Sequence, residues 1–168
     1  MNRIGTLLTN GYALVVRIGT ALSWLPPTVA RLAVGWVFFQ SGWGKLHDLG
    51  KVTDFFMELG LPAPAFHAVL TSSTEFVCGS LLLLGLGTRL AAAPLIITMI
   101  VAIRTALWSQ VDSLGALFGL AEFLYIALLV GLATNGGGPL SIDWLLEQRT
   151  ERHTSNELLT NRTARVRA

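Results

Sequence analysis

Charge is what this sequence has least of. Only 13% of its 168 residues are Asp, Glu, Lys or Arg, against 52% apolar residues, and the mean hydropathy is +0.60. Soluble domains carry about 25% charged residues. So few charges cannot cover the surface of a soluble domain of this length, which excludes an ordinary cytosolic domain, a disordered chain and a nucleic-acid binder. The pI near 9.1 does not argue otherwise. It reflects a net charge of only +2, with the bases spread along the chain rather than gathered in one patch. Cysteine is nearly absent too. Cys78 stands alone in an apolar run, so no disulfide framework can form. One Cys and three scattered His assemble no zinc or iron–sulfur site. No flavin, haem or metal motif and no internal repeat is present, so the inverted-repeat logic of large transporters does not apply.

What is there is length and apolarity in four segments. A helix crosses a bilayer in roughly 20 residues, and the candidates run from about Thr28 to Leu46, Ala68 to Leu86, Leu90 to Trp108 and Leu114 to Thr134. None is free of charge. Arg31 and Lys45 flank the first, and Glu75, Arg104 and Glu122 interrupt the others. The pattern fits spans whose charges face the bundle interior. Before them, Leu14, Ile18, Leu22 and Leu25 share a helical stripe from which Asn10, Arg17 and Thr20 are absent. That predicts an amphipathic helix in the membrane interface, ended by Pro26 and Pro27, with a fifth span as the alternative. Asn10, Gly11 and Arg17 break up any signal-peptide core. The expected architecture is therefore an all-α, integral membrane four-helix bundle with an N-terminal amphipathic interfacial helix. Residues 1–27 form that helix, 28–146 the bundle, and 147–168 a polar basic tail.

Basic residues set orientation. With four spans, Arg3, Arg17, Arg31, Arg89, Arg149, Arg152, Arg162, Arg165 and Arg167 fall on the side of both termini, against Lys45 and Lys51 opposite. Both termini are accordingly expected in the cytoplasm of a plasma (inner) membrane protein. The 47–67 loop then faces outward, and its Phe55–Leu61 stretch is apolar enough to lie on the membrane. Small residues permit close helix approach in lipid. Gly115 and Gly119 form a GxxxG pair in the fourth span, with Gly35 and Gly42 in the first and Gly79 in the second.

Depth gives the sharpest expectation. At about 1.5 Å per residue, Glu75 lies roughly 10 Å, Glu122 roughly 12 Å and Arg104 roughly 6 Å from the outer ends of their spans, and Lys45 lies at an outer end. Two acids and two bases thus share the outer half, one per helix. A lone charge there costs a few kcal/mol, which predicts a polar cluster of Lys45, Glu75, Arg104 and Glu122, joined at similar depth by Gln40 and Trp43. Such a cluster suits either of two roles: ion pairing that fixes helix register, or a substrate or proton site. The other singled-out residues have plain readings. Arg31 is a phosphate-level anchor, and the five Trp are mostly interfacial belt residues. Cys78 packs, and His47 and His67 are solvated. Gly136–Gly138 end the fourth helix, and Ser141 or Asp143 caps the helix around Trp144–Gln148.

The ordered motifs resemble a known family. Arg31-Leu32, spaced Gly35 and Gly42, and Gly42-Trp43-Gly44-Lys45-Leu46 look like the opening signature of DoxX-like membrane proteins. The loop's Leu59-Gly60-Leu61-Pro62 follows. Next come Glu75 to Gly79, a leucine run and Gly85-Leu86-Gly87-Thr88-Arg89, then Glu122 and Ser141-Ile142-Asp143. The resemblance covers roughly residues 28–146. No base precedes Ser141 as it often does in the family, which leaves without support any role resting on a base beside Asp143. The resemblance implies a four-helix membrane protein, some of whose relatives are membrane subunits of thiosulfate:quinone oxidoreductases. The expected function is a membrane subunit or partner of a quinone-linked redox system. No cofactor is expected within the chain, quinone is the candidate ligand, and electrons come from a redox partner or from the substrate. The alternative is a non-catalytic scaffold or assembly factor docking a partner through the basic tail. A small permease is disfavoured. The lipid bilayer is the expected surrounding, a homo-oligomer is open, and nucleic acid and a bound metal are not expected.

Overall fold

A computed structural model describes residues 3–149, with side chains from Gly11 onward, and every element among them is helical. In chain order these are α1 (Arg3–Ala21), α2 (Leu25–His47), α3 (Leu49–Glu58), α4 (Pro64–Leu84), α5 (Thr88–Ala102), α6 (Leu114–Gly119) and α7 (Ala121–Asn135). Beyond α5 the chain continues through a π turn (Ile103–Leu107) and a 3-10 turn (Trp108–Gln110). Residues 142–149 form a last helical stretch. The expected basic tail falls almost wholly outside the described residues.

Local chemistry places the ends. Prolines open α2 and α4, where the missing N–H costs nothing and φ is already helical. The Asp48 side chain accepts the Lys51 N–H to cap α3. Gly85, at φ +68°, closes α4: its own N–H reaches Leu82 O, and Leu86 N–H reaches Leu81 O. This left-handed turn favours glycine. At about 1.5 Å per residue, the 21 residues of α4 span a bilayer core, as do the 23 of Thr88–Gln110.

Four principal helices close a ring, α2 on α4, α4 on α5, α5 on α7 and α7 on α2. Without a hydrophobic drive between helices in lipid, close approach by small residues holds them. A Cβ on Gly42 would collide with the Phe76 backbone, and one on Gly79 would sit 2.9 Å from the Phe38 carbonyl carbon. Val34, Phe38, Leu82, Leu95, Leu129 and Leu132 fill the centre. Trp36, Val77, Ile100 and Val130 face outward, as a lipid-facing surface requires.

One feature differs from expectation. The fourth span is not continuous: Leu120 is extended (φ −71°, ψ 135°) and separates a six-residue α6 from the 15-residue α7. Ser113 caps α6, and the break sets Glu122 in the first turn of α7, where the helix dipole favours a carboxylate. The Gly115/Gly119 pair therefore lies in α6, and a Cβ on Gly119 would touch nothing within 4 Å. Among the described residues, a Cβ on Gly115 would meet only the Ser113 hydroxyl, at 3.8 Å. At the other end, α1 contributes no buried residue from Gly11 onward, and Leu14, Ile18, Leu22 and Leu25 are all exposed. Its described part meets α2 at a 42° bend.

Candidate functional site

The two ends of the ring carry different chemistry. At the Lys45 end, the α2–α4 contact brings Lys45 Nζ within 2.6 and 2.7 Å of the two Glu75 oxygens. Glu75 is 1% exposed, so its carboxylate depends on this one ammonium and on the hydrogen bonds it accepts from it. The pair forms part of the wall of a cavity of about 780 Å³ between α2, α4, α5 and the start of α7, with α3 as its roof. The roof is apolar: Val52, Phe55, Phe56 and Leu59 line it, because α3 is amphipathic and its Asp48 cap fixes where it starts. Glu122 and Tyr125 line the same cavity, as do Thr71, Thr74 and His67. The Glu122 carboxylate makes no hydrogen bond or ion pair among the described residues. Tyr125 packs edge-on against Phe38, centroids 5.7 Å apart. On the rim, Lys51 pairs with Asp48 at 2.5 Å, which holds the Asp48 carboxyl below and the Lys51 ammonium above their ordinary values.

At the opposite end Arg31 is 3% exposed. Its guanidinium donates to Leu82 O and Leu83 O at the end of α4, both at 3.4 Å, and to Leu140 O at 3.0 Å. Asp143 complements it from the other helix terminus, its oxygens accepting the Gly87 and Thr88 N–H groups at 2.6 and 2.8 Å at the start of α5. A cation thus ends one helix and an anion begins the next, as both dipoles favour. Burial would raise the Asp143 carboxyl, but the bonds from Thr88 and Gly87 and the nearby Arg31 more than offset it and hold it below its ordinary value. A Cβ on Gly85 would strike the Arg31 Nη1.

The structure brings Lys45, Glu75 and Glu122 to one cavity, and it separates the other expected members. Arg104 is exposed within the π turn, its guanidinium 4.8 Å over the Trp108 ring. Regular helical spacing already puts it there, since Ile97, Ile100 and Val101, seven, four and three residues before it, are all exposed. Gln40 is exposed. Trp43 is half exposed and stacks on His47 (4.3 Å) and Phe76 (5.6 Å) on the outer surface of α2. Arg31 is a buried helix cap rather than a phosphate anchor. Ser141, not Asp143, caps the last helical stretch, by accepting the Trp144 N–H at 3.1 Å. Arg89 is exposed. Gly35, Gly42 and Gly79 make the α2–α4 contact.

Sequence reasoning missed α3 as a roof, and with it Tyr125 and the cavity role of His67. The signal was there in the apolar Val52, Phe55, Phe56 and Leu59 at three- and four-residue spacing, which marks one helical face.

An all-helical ring in a membrane, with a buried acid–base pair opening on an apolar cavity, defines a small polytopic membrane protein with a ligand-sized chamber. The DoxX family model matches residues 27–108. A Bacillus subtilis (strain 168) protein named "Putative oxidoreductase CatD" is 33% identical over 115 residues, 67% of this chain and 81% of that one. The chain belongs to the DoxX family. An uncharacterized membrane protein of Mycobacterium tuberculosis is 47% identical over 83 residues, 46% of this chain and 50% of that one, so the match spans half of that relative's length. No solved structure matches.

Proposed function

We propose that this protein is a membrane subunit or partner of a quinone-linked redox system, and that the cavity beside the Lys45–Glu75 pair receives the quinone head group. The carrying observation is the combination in that cavity of an apolar roof, a buried carboxylate held by a partly exposed ammonium, and a carboxylate, Glu122, with no partner among the described residues. Its volume of about 780 Å³ falls in the range of about 300–1,000 Å³ usual for small-molecule sites. A quinone ring needs apolar walls, a donor for its carbonyl oxygens and a group that exchanges protons. Lys45 Nζ and the Tyr125 hydroxyl are donors at the wall, and Phe38, Phe55 and Phe56 supply apolar surface.

Reduction of a quinone to a quinol takes two electrons and two protons. In this reading Glu122 delivers a proton to the ring oxygen and is reloaded from the aqueous side. The Lys45–Glu75 pair holds the head group in register. Electrons come from a redox partner or from the oxidised substrate. The name of the Bacillus relative supports the redox class. The excess of Arg on the Arg31 side supports placing that end in the cytoplasm and the cavity toward the outer face.

Spectral titration of the purified protein in nanodiscs with a short-chain quinone analogue tests the reading. Saturable binding is expected, weakened about tenfold or more by Glu75→Gln and by Glu122→Gln, since one lost charge-assisted hydrogen bond is worth about 1.5–3 kcal/mol. Equal affinity in wild type and both variants contradicts it.

A further inference from the structure

A second chamber lies at the Arg31 end, far along the bundle from the cavity above, and does not depend on the quinone reading. It measures about 510 Å³ and is lined by Arg89, the Gly136–Gly138 turn, Trp144 and Glu147. Most charged groups at this end are committed: Arg31 to carbonyls of α4 and Leu140, Asp143 to the amides of Gly87 and Thr88. Arg89 is not. It is exposed and has no hydrogen bond or ion pair among the described residues. It lies close to the turn: a Cβ on Gly136 would sit 3.5 Å from Nε and 3.8 Å from Nη2, so the guanidinium lies beside a backbone without a side chain. Gly136 and Gly138 both have positive φ, +80° and +78°, which only glycine adopts without strain. The N–H groups of Gly137 and Gly138 donate no hydrogen bond among the described residues. One uncommitted guanidinium and two uncommitted amides on a glycine turn are the donor set of a phosphate site.

We infer that this chamber binds the phosphodiester of a phospholipid head group. Its place decides between lipid and soluble phosphate. Arg89 is the second residue of a membrane-spanning helix, and the strongly exposed Leu90 follows it (82%). Trp144 lines the same chamber and is about a third exposed (36%), as suits an indole at the head-group level. Acyl chains can then run down the lipid-facing side of α5 past Leu90, Ala93 and Ile100, all exposed. Glu147, which also lines the chamber, provides a partner for the ammonium of an aminated head group such as phosphoethanolamine.

The test is the rise in thermal unfolding temperature of the full-length protein in detergent on adding dihexanoyl phosphatidylethanolamine below its micellar concentration, with inorganic phosphate as the parallel probe. A saturable rise with the lipid is expected in the wild type, absent in Arg89→Gln and partly kept in Arg89→Lys, with no rise from inorganic phosphate. Arg89 is exposed, so Arg89→Gln folds as the wild type does. An equal rise in wild type and Arg89→Gln, no rise at all, or an equal rise with inorganic phosphate overturns the lipid site.

Discussion

At the scale of single residues, opposite charges do different work at the two ends of the bundle. Arg31 and Asp143 are spent on backbone: three carbonyls and two amides respectively. Asp143 also gives a pH signature. Its folded carboxyl lies below the ordinary value, so its contribution is complete above the unfolded value of about 3.9 and is lost as pH falls through the folded one. Asp143→Asn should lower stability at neutral pH by about 1 kcal/mol. The gap between variant and wild type should narrow as pH drops below about 4, read by thermal unfolding in detergent across pH 3–7. A gap independent of pH would separate Asp143 from this capping role. Lys45 and Glu75 are spent on each other, at 2.6 Å, and Glu122 on nothing among the described residues, which is why the proposed reading assigns proton transfer to Glu122.

At the scale of elements, spacing told most of what helices would do, and it failed where backbone geometry took over. The paired helix faces were legible because Gly35, Gly42 and Gly79 recur where α2 and α4 meet. The cluster's fourth member was not, because a depth count says nothing of facing: Arg104 shares the helical face of Ile97, Ile100 and Val101, which is exposed. The break at Leu120 was hidden in the backbone: Gly119 and Glu122 are each tolerated inside an apolar run, and only the observed dihedrals separate α6 from α7. The glycines make this testable. Gly42→Ala drives a methyl into the Phe76 backbone and should destabilise by about 1–3 kcal/mol or more. Gly119→Ala meets open space and should stay within about 0.5 kcal/mol. Equal losses, measured by thermal unfolding in the same detergent, would mean that the α6 glycines pack against something outside this chain.

At the scale of the whole molecule, four helices make one ring with a chamber at each end. The membrane class was legible from 13% charge alone, and the family from the order of Arg31, Lys45, Glu75, Thr88-Arg89 and Asp143. The cavity was not legible, because its volume comes from α3 folding back over α4 and from Tyr125 on a helix far along the chain. Sequence could place charges at one depth, but it could not say which of them share a space. The central claim is that a quinone head group occupies that space, and photoaffinity labelling addresses it most directly. The purified protein in nanodiscs is irradiated with an azido-quinone analogue and its peptides are mapped by mass spectrometry. The account predicts adducts on the roof and walls, within Val52–Leu59 and on Thr71, Thr98 or Tyr125, suppressed by excess unlabelled quinone. Adducts confined to lipid-facing residues such as Trp36, Val77 or Val130, and unaffected by competitor, would contradict it.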